Sequence, residues 1–224
     1  MKAHIFLVAA AASLITSHAA IPVGSSGSGT NRFTARPLAS EWSTKSISGS
    51  DVLFASAGAL HHAVQTNASA ASINTQVSDA GAANPPPQNP LASWSLGGSS
   101  NLWTRPASAG ATLIMATLVN NTGAGQNGLQ IIYTRQESGS APAEQAPGHE
   151  VFYSLSGSLG SWMHIPELSG GGVGILSHTI ALSATWTNGG LLYVLWADDN
   201  ATAGVDRSYS LDDVSFAAGP APRR

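Results

Sequence analysis

Cysteine is absent from this 224-residue chain, so no disulfide contributes and burial alone must hold the core. Charge is nearly as scarce, with nine Lys and Arg and twelve Asp and Glu making up 9% of the residues. The basic residues are scattered, whereas a phosphate-binding surface needs them clustered, so nucleic acid is excluded as an expected partner. Their closest pair, Arg223-Arg224, sits on a Pro/Ala/Gly tail. Beyond the N-terminus no apolar run reaches the length of a membrane-spanning helix, and no stable membrane anchor is expected.

The N-terminus itself reads as an export signal. Lys2 supplies a short positive region, residues 5–15 are apolar but too short to anchor in a bilayer, and Ser17-His18-Ala19 presents small residues at the exit. Residues 1–19 are therefore expected to be a signal peptide, and the mature protein to be secreted, extracellular or at the cell surface. A Gly/Ser-rich flexible segment follows over 20–32. Residues 33–217 form one domain of a size that buries roughly 70% of its unfolded surface, and 218–224 form a disordered tail.

Residues 112–119, 129–134, 151–155, 180–185, 191–196 and 209–216 are short runs rich in Val, Ile, Leu, Thr and aromatics, separated by Gly, Asn, Pro and Ser. That is the pattern of antiparallel strands. The run 191–196 is apolar at both parities and reads as a central strand. Leu129, Ile131 and Tyr133 alternate with Gln130 and Thr134, as in a half-exposed strand. Helical periodicity is confined to 57–64. Pro-rich 81–90, small-residue 138–148 and glycine-rich 169–174 read as loops. The expected fold is all-β, an antiparallel jelly-roll-like β-sandwich.

Five of the twelve acidic residues fall between Asp198 and Asp213, at the end of one strand and the start of the next. Carboxylates gathered there can form an oxygen-rich cup for a structural Ca²⁺. Asp212 shares strand parity with Val214 and Phe216, so if those face the core it points inward too. An unpaired buried carboxylate costs several kcal/mol unless neutralised or ligated. Arg207 is the alternative partner, but one guanidinium cannot satisfy this many carboxylates. The expected metal ligands are Asp198, Asp199, Asn200, Asp206 and Asp212.

The six tryptophans offer a second signal, because exposed Trp stacks on sugar rings. Trp94 and Trp196 lie in apolar alternation and fit a core, while Trp103 and Trp162 adjoin polar turns and are the candidate ligand-binding residues. A polysaccharide or matrix component is the expected partner.

Catalytic templates fail. Gly123-Ala124-Gly125-Gln126-Asn127-Gly128 matches a dinucleotide fingerprint by letters, yet a strand follows where a helix is required, so it reads as a hairpin turn. Gly157-Ser158-Leu159-Gly160 lacks the spacing of a nucleophile elbow. His149-Glu150 has no second histidine four residues on. His61-His62 reads as a surface pair, and His164 and His178 as ordinary surface or hydrogen-bonded residues. A polysaccharide-active enzyme would need two facing acids roughly 5–10 Å apart. Glu41, Glu137, Glu144, Glu150 and Glu167 are the candidates, and nothing selects a pair.

The segments Met115–Gly123 with 129–133, Pro147–Ser154 with Gly160-Ser161-Trp162 and Ile165–Leu168, and Leu192–Asn200 with Leu211–Phe216 occur in an order that resembles one family. It is the extracellular jelly-roll module of exported environmental bacterial proteins that often carry a PEP-CTERM sorting tail. The resemblance covers roughly residues 91–216 and implies a non-catalytic binding or structural module. The chain departs from it at Gly219–Arg224, which lacks the apolar sorting segment, and free release is therefore expected. The Asp-Asp-Val close also resembles galactose-binding-like sandwiches and carbohydrate-binding modules, which implies a Ca²⁺ role for Asp212.

Overall fold

Alternating β-branched and aromatic residues, broken at short intervals by Gly, Asn and Pro, fold into many short strands rather than a few helices. The computed structural model describes residues 20–47, 54–97, 99–139, 144–200 and 206–220; residues 1–19 and 221–224 lie outside these. In chain order the elements are β1 (Ile21–Val23), β2 (Thr30–Asn31), β3 (Trp42–Ile47), α1 (Ala57–Asn67), β4 (Thr75–Gln76), β5 (Ser78–Asp79), β6 (Asn89–Ser95), β7 (Asn101–Arg105) and β8 (Ala111–Asn120). They continue with β9 (Gln126–Arg135), β10 (Glu137–Ser138), β11 (Glu150–Ser154), β12 (Met163–His164), a 3-10 turn at Pro166–Leu168, β13 (Gly174–Trp186), β14 (Leu191–Asp199) and β15 (Ser208–Gly219).

Two sheets result. One has the order β12-β11-β14-β8-β3-β4, with β1 beside β8; the other runs β13-β9-β15-β7-β6-β5, with β10 and β2 beside β15. All pairings are antiparallel except β1 with β8 and β5 with β6. The fold is the expected antiparallel jelly-roll-like β-sandwich, and all six anticipated strands are present. As expected, β14 is central, between β11 and β8.

The inner faces meet at an aromatic cluster. Trp42 of β3 stacks on Trp196 of β14 at 5.8 Å, with Phe33 edge-on to Trp42 at 5.0 Å. From the opposite sheet, Tyr133 meets Trp196 edge-to-face at 5.7 Å and Phe216 lies 6.3 Å from Trp42. Burial pushes the Tyr133 phenol up to about 12, and its hydroxyl donates to the Leu168 carbonyl at 2.8 Å.

A smaller core lies on the outer face of the first sheet, where Leu60, Ala63 and Val64 of α1 pack with Leu113, Phe152 and Leu195. The helix starts at Ser56, whose Oγ accepts from the Ala59 N–H at 3.3 Å and so caps a free donor.

Several expectations change. The segment 20–32 supplies β1, registered Ile21 to Leu118, and β2, registered Thr30 to Ser215, so it belongs to both sheets rather than standing apart as a flexible lead. Strand β15 runs through Ala218 and Gly219, which were placed in the tail. The Gly123–Gly128 segment is not a hairpin, because β8 and β9 lie in different sheets. Its turn crosses the sandwich, as does the one over 187–190. Buried Asn120 ties both crossings: its Nδ2 donates to the carbonyls of Ala124 (2.9 Å) and Trp186 (2.8 Å), and its own carbonyl accepts from the Gly189 N–H (2.7 Å).

A Trp42→Ala chain is expected to lose about 3–5 kcal/mol of stability, the usual cost of deleting a large buried aromatic. Leu159→Ala, at a side chain 58% exposed, should stay within about 0.5 kcal/mol of wild type. Urea unfolding followed by tryptophan fluorescence measures both, and similar losses for the two would remove the aromatic cluster from its central place.

Candidate functional site

The expected ion ligands are brought together only in part, Asp198 with Asp206. In β15 the parity argument fails at a bulge between Asp212 and Ser215, where Asp213 adopts φ 49°. The extra residue puts Leu211 and Val214 in the core and leaves Asp212 half-buried and Asp213 exposed. Asp212 accepts from the Asp213 N–H at 2.8 Å, and Asp213 pairs with Arg32 at 3.2 Å. Burial, the adjacent backbone and the charges of Asp213 and Arg32 set the Asp212 titration, with a net upward shift. Asn200 Nδ2 is spent on the Ala109 carbonyl at 2.9 Å.

Asp198 and Asp199 are adjacent on β14 and so point to opposite faces. Asp198 shares the inner side with Trp196, and Asp199 the outer side with Ala197. Both carboxylates are buried, and none of their oxygens has a donor in hydrogen-bonding geometry among the described residues. Burial first, then the charge of Asp206, pushes the Asp198 carboxyl well above its usual range. Around it stand buried Arg135, lowered by burial, and buried His149, lowered by burial and then by the Arg135 charge. His149 Nε2 meets the Thr104 hydroxyl at 2.8 Å, and Arg135 Nε donates to the Gly172 carbonyl at 2.5 Å. Arg207, the alternative counter-charge, pairs instead with Glu137 at 2.7 Å.

On the outer face the chain assembles a group that sequence reasoning left apart. Glu150 opens β11, His61 comes from α1 and His164 from β12. Both imidazole Nε2 atoms converge on one carboxylate oxygen, Glu150 Oε2, at 2.6 Å from His61 and 2.8 Å from His164. The ring centroids are 4.1 Å apart. Glu150 is 6% exposed, whereas each histidine side chain is 29% exposed. Burial, then the nearby His61, lowers the His164 imidazole. His61 sits at the helix position facing the sheet while His62 faces out; helical periodicity over 57–64 was the one available signal.

The tryptophans expected to stack on sugars do not line any surface. Trp103 and Trp162 are each 2% exposed, and the other four are buried too. Trp162 lies beneath the end of α1, its Nε1 donating to the Ala68 carbonyl at 2.7 Å. Trp162 packs into the smaller core with Leu60, Val64 and Phe152.

Among the described residues, the accessible Phe, Tyr or Trp ring is Tyr193. It forms, with Thr117, Ser43 and Met115, the floor of a groove of about 600 Å³ on the outer face of β3, β8 and β14 beside α1. Loops at 39–40, 69–74 and 156–158 wall it, and no lining residue is charged. Ser40, Ser69, Ser156 and Ser158 put hydroxyls among the small apolar residues of the walls, and the buried Ser43 Oγ at the floor has no hydrogen-bond partner among the described residues. Gly157, at φ 64°, lets its loop close on the ring: a Cβ there would lie 2.9 Å from the Tyr193 edge.

No protein-family profile and no curated protein matches the chain. Among solved structures, the enzymatically active domain of tailspike protein 4 of Bacteriophage CBA120 aligns with TM-score 0.40 at 9% identity, over 88% of this chain and 21% of that one. The Stig cyclase Fisc from Fischerella sp. TAU aligns with TM-score 0.35 at 15% identity, over 56% and 66%. TmCBM61, solved in complex with beta-1,4-galactotriose, gives TM-score 0.33 at 8% identity, over 61% and 79%. The chain thus spans about a fifth of the tailspike domain's chain and just under two thirds of the cyclase's. At this level of likeness none of these proteins' activities transfers to it.

Asp199 yields a pH prediction. Burial, then the charge of Glu144, raises its carboxyl to about 7, with Glu150 adding to the shift. Between the ordinary aspartate value of 3.8 and that pH the folded state holds a proton the unfolded chain has released. Stability contributed by this group is therefore present at low pH and lost as pH rises through the window, by up to about 1.4 kcal/mol per unit. Asp199→Asn should raise the melting temperature at pH 8 and have little effect at pH 4, as read by calorimetry. A variant equally stabilised at both pH values contradicts the assignment.

Proposed function

We propose that the protein is a secreted, non-catalytic β-sandwich module that binds a neutral polysaccharide in the Tyr193 groove. The observation that carries this reading is the groove itself: open on the outer sheet face, supplied with hydroxyls, free of charged lining residues and floored by a partly exposed aromatic ring. Sugars present alternating hydroxyls and apolar ring faces, and a tyrosine flanked by hydroxyls complements both. The export-like pattern of residues 1–19 supports an extracellular setting. The alternative, a polysaccharide-active enzyme with paired carboxylates, draws no support from this groove, since none of Glu41, Glu137, Glu144, Glu150 and Glu167 lines it. Glu137 and Glu150 are engaged with Arg207 and the two histidines, Glu144 accepts from the Tyr209 hydroxyl at 2.5 Å, and Glu167 faces His178 at 3.7 Å.

Affinity electrophoresis against neutral galactans, xylans, mannans and β-glucans should show retardation by at least one. Tyr193→Ala should weaken that binding about tenfold, equivalent to about 1.4 kcal/mol, while Ile175→Ala, on the exposed edge strand β13, should not. No retardation by any of them, or an unaffected Tyr193→Ala variant, ends the reading; release of new reducing ends during incubation moves it to the enzyme.

A structural Ca²⁺ remains part of the proposal, now centred on Asp198 rather than on the full acidic set. Neither Asp198 oxygen has a donor in hydrogen-bonding geometry among the described residues, although the Thr104 hydroxyl and the Arg135 guanidinium are near; the added negative charges of Asp206 and Glu144 are what favours a cation there over a lasting bare carboxylate. Calcium at a hundredfold excess over Kd would add about 2.7 kcal/mol, which is a rise of roughly 5–10 °C for a chain of this size. Melting curves in EGTA and then in millimolar Ca²⁺ test this, with Asp198→Asn expected to abolish the difference. Identical curves for the wild-type chain return Asp198 to a protonated carboxyl paired with its surroundings.

A further inference from the structure

We propose that His61, Glu150 and His164 form a binding site for a divalent transition-metal ion of the Zn²⁺ class, joining α1 to the sheet. The three donor atoms come from a helix and two neighbouring strands and lie within 4.8 Å of one another. Two imidazole nitrogens and one carboxylate oxygen make a donor set suited to Zn²⁺ and its first-row neighbours, and unlike the all-oxygen shell that Ca²⁺ or Mg²⁺ takes.

The same three atoms can be joined either by two hydrogen bonds to one carboxylate oxygen or by an ion held between them. Without an ion, both Nε2 atoms must direct a hydrogen to the same oxygen, Glu150 Oε2. The Ser169 hydroxyl also lies 3.0 Å from His164 Nε2, yet it donates to the Ile165 carbonyl at 2.9 Å and accepts from the Val151 N–H at 2.8 Å. It therefore has no proton to offer His164. An ion at the centre satisfies all three lone pairs at once. A tetrahedral Zn²⁺ with bonds of about 2.0–2.1 Å places its donors about 3.3 Å apart, so the group opens by roughly half an ångström to admit one.

The surroundings favour a cation. Glu150 pairs in register with Ala197, and Asp199 lies two residues further along the same strand on the same face. Glu144 contributes negative charge to this side as well. The partly exposed histidines leave solvent a way to complete the shell, so three protein ligands and water are expected.

Calorimetric titration of the untagged full chain with ZnCl₂, in millimolar Ca²⁺ to saturate any acidic site, tests the proposal apart from both readings above. One equivalent should bind. His61→Ala and His164→Ala should each weaken it by at least about tenfold, a loss that even partners of metal ligands can cause. His62→Ala, on the outward face of α1, should bind as wild type does. Glu150→Gln preserves the side chain's shape and its ability to hydrogen bond, and should lose binding with an unchanged far-UV circular dichroism spectrum. Cobalt(II) should give visible absorption bands in wild type that the Glu150→Gln chain lacks. Wild-type Zn²⁺ affinity in Glu150→Gln, or in both histidine variants, overturns the site, as does a stoichiometry well below one.

Discussion

Without disulfides, the two sheets are kept in register by the aromatic contact that crosses between them. Trp42 and Trp196 belong to one sheet, Tyr133 and Phe216 to the other, and their rings interlock at 5.7–6.3 Å across the interface. Aromatic side chains bury the most apolar area per residue and prefer a few geometries, so this contact sets both the spacing and the relative position of the sheets. Everything on the outer face inherits that position. The strands whose inner residues build the cluster, β3 and β14, are the same strands whose outer residues floor the groove.

The alternation of strand residues also explains how neighbouring carboxylates acquire different roles. Asp198 faces the sandwich interior beside Arg135 and His149, and Asp199 faces the side of Glu150 and the two histidines. Across the same face α1 covers one part of the sheet and leaves another open. The covered part carries nitrogen and carboxylate donors, and the open part carries hydroxyls and a tyrosine. One sheet surface is thus divided between two chemistries by an eleven-residue helix.

Strand identity was legible because burial follows period-two alternation, and β9 shows this cleanly: Leu129, Ile131 and Tyr133 are buried while Gln130, Ile132 and Thr134 are partly exposed. Connectivity was less legible. The Gly-rich turn after β8 has hairpin chemistry, and only three-dimensional pairing reveals that the chain changes sheets there. The position of Asp212 was misjudged because a bulge reverses parity without leaving a glycine to mark it; Asp213 itself takes the left-handed conformation. Trp103 and Trp162 were misjudged because polar neighbours do not imply an exposed ring. The histidine–glutamate group was invisible because His61 is 89 residues from Glu150, and no spacing rule reaches across an intervening half of a sandwich.

Asn120 has a consequence for how the molecule opens. Its side-chain amide holds the turn leaving β8 and the turn leaving β13, and both are passages from one sheet to the other. Neither passage can loosen without giving up hydrogen bonds that also hold its neighbour, so the two behave as one cooperative unit. The amides of the two turns are therefore expected to exchange with solvent together, in a single opening event.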